Sequence, residues 1–211
     1  MQYLLEHLSV AVCAIGGVLA ARGKQVDLFG VIVLALVTAF GGGTVRDLML
    51  GDLPVFWTRD PAYLLNAVLV AVAAFYVARR RSLPLSALLV ADAFALALFA
   101  VIGADKALSL HMSLSVAVAM GIITGVAGGI IRDLLTGELP VVFRKETHFY
   151  ATAAFCGALV YVVLARWAPG AQQGNLAAGA LTALLLRLAS IRWKLSLPVF
   201  EPLAPVNGKG A

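Results

Sequence analysis

Charge is what this sequence has least of. Of its 211 residues, 13% are Asp, Glu, Lys or Arg, about half the ~25% of a soluble domain. That is too little polar surface to clothe a water-soluble globule, and an apolar share of 62% equally excludes a disordered chain. Cysteine is limited to Cys13 and Cys156, which excludes a disulfide scaffold; both sit in apolar runs and are expected to be reduced, buried and inert. The start, MQYLLEHLSVAV, lacks a basic region and carries Glu6, so a cleaved signal peptide is not expected. Enzyme motifs are missing as well: there is no G-x-S-x-G, H-E-x-x-H, P-loop or Cys/His cluster, so no enzyme and no cofactor are expected. The net charge of +5 would suggest nucleic acid in a soluble protein. Here the basic residues stand at the ends of apolar runs, which reads as topology signalling and not as a nucleic-acid footprint.

What is present is a series of long apolar runs. A bilayer core takes ~20 mostly apolar residues per helix, and seven segments qualify, at about 4–22, 28–50, 62–78, 85–104, 112–135, 148–166 and 174–190. The chain is therefore read as an all-α polytopic membrane protein with membrane lipid around it. Alternate connectors hold Arg22 and Lys24, Arg79 to Arg81, Arg144 and Lys145, then Arg192 and Lys194; the others hold only Arg59, Lys106 and Arg166. The positive-inside rule then places the N-terminus outside and the C-terminus in the cytoplasm. Trp57, Trp167 and Trp193 suit an aromatic belt, and His7, His111 and His148, which share no metal-ligand spacing, are expected at span ends.

Self-comparison is more telling. GGTVRDLMLGDLPV at 42–55 returns as GGIIRDLLTGELPV at 128–141, nine of fourteen positions identical at an offset of 86. The same offset carries Glu6 onto Asp92, Gly17 onto Gly103, Thr38 onto Thr124 and Tyr63 onto Phe149. The reading is two three-span units, 1–82 and 83–168, then a seventh span at 169–192 and a cytoplasmic tail at 193–211 without structure. Because three is odd, the second unit enters the membrane inverted. Inverted repeats place a solute or ion pathway near the midplane.

Gly41, Gly42 and Gly43 in span two, and Gly128 and Gly129 in span five, cost roughly 1 kcal/mol each inside a helix. Close helix packing is one reading. Their recurrence beside charge favours a kinked or broken helix, with backbone groups freed toward a cavity, and Thr44 to Asp47 has the spacing of a capping box that would restart it. Arg46-Asp47 and Arg132-Asp133 follow the glycines and need partners at that depth. Adjacent helical residues do not face each other, so the expected pairs are Arg46 with Asp133 and Arg132 with Asp47. Thr38 and Thr124 offer hydroxyls either to an ion or to their own helix. Glu6 and Asp92 are either helix-start carboxylates or vestibule charges, and Asp105-Lys106 either lines a mouth or lies in the interface.

Taken together, two three-helix units, each with glycines followed by Arg-Asp-x-x-x-Gly-[Asp/Glu]-x-Pro, plus a seventh helix, resemble the bacterial trimeric intracellular cation (TRIC) channel family. Similar sequences are also labelled glycine-transporter-like. The resemblance covers about 3–190. It implies a homotrimer in the bacterial inner membrane, each protomer with its own pore for K⁺ and also Na⁺ between helices two and five. It further implies that Gly41 to Gly43 and Gly128-Gly129 match the family's kinks, and that the Arg-Asp pairs match its charged motifs. The competing reading is a secondary transporter of a small zwitterion such as glycine, its carboxylate at half-helix N-termini and its ammonium on Asp47 or Asp133.

Overall fold

A computed structural model describes residues 2–81, 84, 86–144 and 149–194. Lys145, His148 and most of the tail lie outside these residues. Seven long helices run through the described chain: α1 (Gln2–Ala20), α2 (Leu28–Leu50), α4 (Pro61–Arg80), α5 (Ser86–Ser109), α6 (Leu114–Leu135), α7 (Tyr150–Trp167) and α8 (Gln172–Trp193), with a short α3 (Phe56–Arg59) between α2 and α4. Seven candidate spans in these helices are long and apolar enough to cross a membrane; α2, at 23 residues, rises about 35 Å.

The helix ends follow from local chemistry. Asp27 caps α2 by accepting the Gly30 N–H at 2.8 Å, and Asp60 caps α4 by accepting from Ala62 N with Pro61 in the first turn. The two repeated helices stop alike. Gly51 and Gly137 adopt φ of 69° and 70°, and Asp52 and Glu138 each return an amide to the carbonyl of Asp47 and Asp133 at 2.9 Å, closing the carbonyl ends as a glycine terminator does.

The centre of the bundle is α5, which packs against α1, α6, α7 and α8; 61% of its apolar window is buried, the largest share of any span. On the other side α2 packs against α1, α4 and α6. Small residues set the spacing: a methyl on Gly17 would lie 2.6 Å from Ala35 Cα, so α1 and α2 meet backbone to backbone. Large apolar residues instead face outward, with Phe29 at 74% exposure and Leu185 at 63%, as lipid-facing positions require. Trp167 and Trp193 are exposed near helix ends. Trp57 is half-buried: it stacks on Phe40, centroids 5.2 Å apart, and donates to the Thr44 hydroxyl at 3.1 Å. Cys13 is buried and Cys156 half-buried, both free.

Candidate functional site

The glycine runs do not break their helices. Both α2 and α6 continue through them, and Thr44 lies mid-helix with no cap to make. The glycines are used for approach. A methyl on Gly128 would sit 2.5 Å from the Thr38 carbonyl oxygen, one on Gly42 would run into that of Thr124, and one on Gly41 would reach within 3.4 Å of Gly128 Cα. The contact is reciprocal at Gly42 and Gly128, each of which meets the threonine of the opposite repeat. Hydrocarbon penalises an open backbone hydrogen bond by several kcal/mol, more than the propensity cost of a few glycines, so unbroken helices crossing at bare backbone are the better solution.

The threonine hydroxyls follow their own helices, Thr38 to Leu34 O and Thr124 to Met120 O, both at 2.6 Å. Beside this crossing is a cavity of about 10 Å³ whose lining includes Thr38, Thr124, Gly42, Gly128, Asp92 and Tyr150. That is room for about one water. In this conformation the crossing is closed to a hydrated ion.

The Arg-Asp pairs lie beyond the glycines, and each arginine binds its own neighbour, not the aspartate of the other repeat. Arg46 reaches Asp47 Oδ1 through Nε at 2.8 Å and Nη2 at 2.7 Å; Arg132 reaches Asp133 Oδ1 at the same two distances. The expected Arg46–Asp133 and Arg132–Asp47 pairs are therefore corrected. The long arginine stem folds sideways across the 100° step that separates adjacent helical residues. The aspartates' second oxygens then accept backbone amides from the returning chain, Phe56 N at 2.8 Å and Val141 N at 2.9 Å. All four charged residues are buried.

Beyond this shared core the two halves differ. Arg132 also binds Asp92, through Nη1 and, at 3.4 Å, Nη2. Asp92 is buried within α5 and takes a hydrogen bond from Tyr150 at 3.4 Å, so it is neither a helix-start nor an open vestibule charge. Its counterpart Glu6 is half-buried and accepts from Tyr63, while Arg46 lies over the Phe56 ring at 5.5 Å. Asp105 is buried too, accepting from Tyr161 and from Gln172 at 3.1 Å. Two buried residues were not anticipated. Arg187 on α8 is 1% exposed with its guanidinium 4.8 Å over the Tyr150 ring. A charge within the seventh apolar run was the available signal for Arg187; Tyr150 had only a one-residue slip from the offset of Tyr63.

Ion pairs between the repeats exist at the ends of the bundle. Lys106 binds Asp52 at 2.5 Å and Lys24 binds Glu138 at 2.5 Å. Arg59 grips Asp52 with two bonds, 2.7 and 3.2 Å, and Arg144 adds to Glu138 at 3.4 Å. The bonds from Arg59 and then Lys106 hold the Asp52 carboxyl down to about 2, and the bond from Lys24 lowers that of Glu138. Among the described residues no three His, Cys, Asp or Glu side chains come together as metal ligands.

Known proteins align with this architecture along almost its whole length. A family described as "Glycine transporter" matches residues 3–79 and 89–166, two stretches that begin 86 residues apart, the offset of the repeat. The chain is 44% identical over 199 residues to the UPF0126 inner membrane protein YadS of Escherichia coli K12, spanning 94% of this chain and 95% of that one. It is likewise 44% identical to a UPF0126 membrane protein of Vibrio cholerae, over 94% of this chain and 82% of the relative. Among solved structures, the TRIC trimeric intracellular cation channel orthologue of Rhodobacter sphaeroides superposes with a TM-score of 0.86 at 42% identity, over 92% of this chain and 98% of that one. A second structure, solved in work on conductance through TRIC cation channels, gives 0.84 at 34% identity over 95% and 98%.

Proposed function

Since the chain belongs to the TRIC family, we propose that it is a cation channel of the bacterial inner membrane, a homotrimer in which each protomer has its own pathway for K⁺ and Na⁺. The reciprocal α2–α6 crossing carries this reading: two repeat-related helices meet at Gly42 and Gly128 beside the one-water cavity, the midplane position expected of inverted repeats. The units 1–82 and 83–168 are then related by inversion, with the N-terminus outside and the C-terminus cytoplasmic. For ions to pass, α2 and α6 part at the crossing. The Thr38 and Thr124 oxygens and the Asp92 carboxylate then line the path, replacing part of an ion's hydration shell. Arg132, bound to Asp92 and Asp133, neutralises that carboxylate in the closed form; loosening the pair leaves a negative group facing the path, which favours cations.

The family description "Glycine transporter" supports a second reading, a transporter moving a small zwitterion such as glycine through the same cavity. Purified protein in planar bilayers separates the two. Unitary current steps reversing near the K⁺ equilibrium potential support the channel; silent bilayers together with saturable glycine uptake into liposomes reject it.

A further inference from the structure

The seventh span, which lies outside the repeat, carries a buried charge that reaches the crossing cavity through one tyrosine. Arg187 on α8 is 1% exposed, and an ionisable side chain kept within a membrane span is costly enough to mark function. Its guanidinium lies 4.8 Å from the centre of the Tyr150 ring, and Nη1 is 3.4 Å from the Ser190 hydroxyl. The same tyrosine lines the cavity beside the crossing and donates its hydroxyl to Asp92 Oδ2 at 3.4 Å. Gly129 leaves room for it, since a methyl there would come within 3.1 Å of that hydroxyl. Asp92 lines the cavity as well, whereas Arg187 stands behind Tyr150. A chain of contacts therefore runs from α8 through α7 to α5 and ends at the crossing. The first half packs its ring from within the repeat: Arg46 lies over Phe56 at 5.5 Å, and Gly43 makes the room. In the second half Arg132 is bound to Asp92 and Asp133, and the cation on the ring comes from α8.

We propose that Arg187 is a positioning residue for cation passage: acting through Tyr150, it holds Asp92 at the crossing and limits how tightly a passing cation binds there. This deepens the channel reading and rests on it. Arginine keeps its charge at any working pH, and a guanidinium over an aromatic face is held by the ring's quadrupole. Once Arg132 loosens, Arg187 still stands behind Asp92. The two contacts place its guanidinium roughly 10 Å from the carboxylate, so about 12 Å from an ion resting on it; at an effective dielectric of about 20 that charge weakens cation binding about tenfold. Water in the open path reduces the effect to several-fold. An ion must bind well enough to enter and weakly enough to leave, and a bare carboxylate at a narrow crossing would err toward holding it.

The test is the unitary conductance of the full chain in planar bilayers as K⁺ is raised. Arg187→Met removes the charge and keeps most of the stem; its conductance should saturate at a K⁺ concentration about three- to tenfold lower than in the wild type, with a lower ceiling. Arg187→Lys restores a cation over the ring and should recover most of the wild-type curve, a rescue that a purely space-filling role would not give. Tyr150→Phe keeps the ring and drops the bond to Asp92; it should shift saturation in the same direction, and it serves if Arg187→Met does not fold. Wild-type saturation in both Arg187→Met and Tyr150→Phe overturns the proposal while leaving the channel intact. So does an Arg187→Lys curve displaced as far as that of Arg187→Met, which would make shape and not charge the cause. A wild type without unitary currents overturns the channel reading itself, and this inference with it.

Discussion

Replacing Gly128 with alanine tests what the glycines do, because the two readings of them differ in sign. Were they a break in the helix, alanine would restore propensity and stabilise the protein by up to about 1 kcal/mol. At the observed crossing the new methyl lies 2.5 Å from the Thr38 carbonyl oxygen, about 0.9 Å short of the 3.4 Å at which ordinary contact begins. That oxygen belongs to the α2 backbone and cannot swing aside like a side-chain tip, so the helices must separate. Overpacking of this kind costs about 1–3 kcal/mol, and the upper part of that range applies where the obstacle is backbone. After the propensity gain the net loss is about 1–2 kcal/mol, or roughly 2–8 °C in Tm for a chain of this size. Thermal unfolding in detergent, followed by loss of the folded species on size exclusion, reads it directly. Gly174→Ala is the control: it is helical, nothing lies within 4 Å of its new methyl, and it should hold or raise Tm. A Gly128→Ala protein as stable as the wild type would refute the crossing as the reason for the glycines.

The remaining predictions concern the charges. Arg132→Gln strands two buried carboxylates, Asp92 and Asp133, and should cost about 3–5 kcal/mol; Arg46→Gln strands only Asp47 and should cost less. Adding Asp92→Asn to Arg132→Gln should recover part of the loss, and equal Tm drops for the two arginine variants would rule out the asymmetry between the halves. The Asp52 carboxyl is held down to about 2, from an ordinary 3.8, by Arg59 and Lys106. A depressed carboxyl stabilises the fold above its unfolded value and stops doing so as pH falls through its folded one. The Tm gap between wild type and Asp52→Asn should therefore be flat from pH 7 to about pH 4 and close toward pH 2. A gap that closes near neutrality would show that the Asp52 ion pairs are not its source.

Much of the architecture was legible because apolar length and an 86-residue offset are written plainly along the chain. The partners Gly42–Thr124 and Gly128–Thr38 all carry the repeat, but the break expected at the glycines is absent, since α2 and α6 run on through them. Helix propensity treats three glycines as a weakness, and only the opposing backbone, which has no local signature, turns them into a contact surface. The arginine pairing failed for a related reason. The rule that neighbours on a helix face apart holds for short side chains; the arginine stem is long enough to defeat it, and the amides of Phe56 and Val141 that complete the aspartates' bonding come from chain folded back in space. Cross-repeat attraction is real but sits further along, at Lys106–Asp52 and Lys24–Glu138. Arg187 escaped because α8 has no counterpart in the repeat, and Tyr150, at the start of α7, because the offset carries Tyr63 onto Phe149, one residue short of it.

Thiol accessibility at the crossing measures the central claim most directly. In a Cys13→Ser/Cys156→Ser background, Thr124→Cys and Leu185→Cys proteins are recorded in planar bilayers before and after a cationic methanethiosulfonate reagent. If ions pass between α2 and α6, the reagent cuts the unitary current of Thr124→Cys and leaves that of the outward-facing Leu185→Cys unchanged. A Thr124→Cys current that the reagent does not alter would contradict a pathway at this crossing.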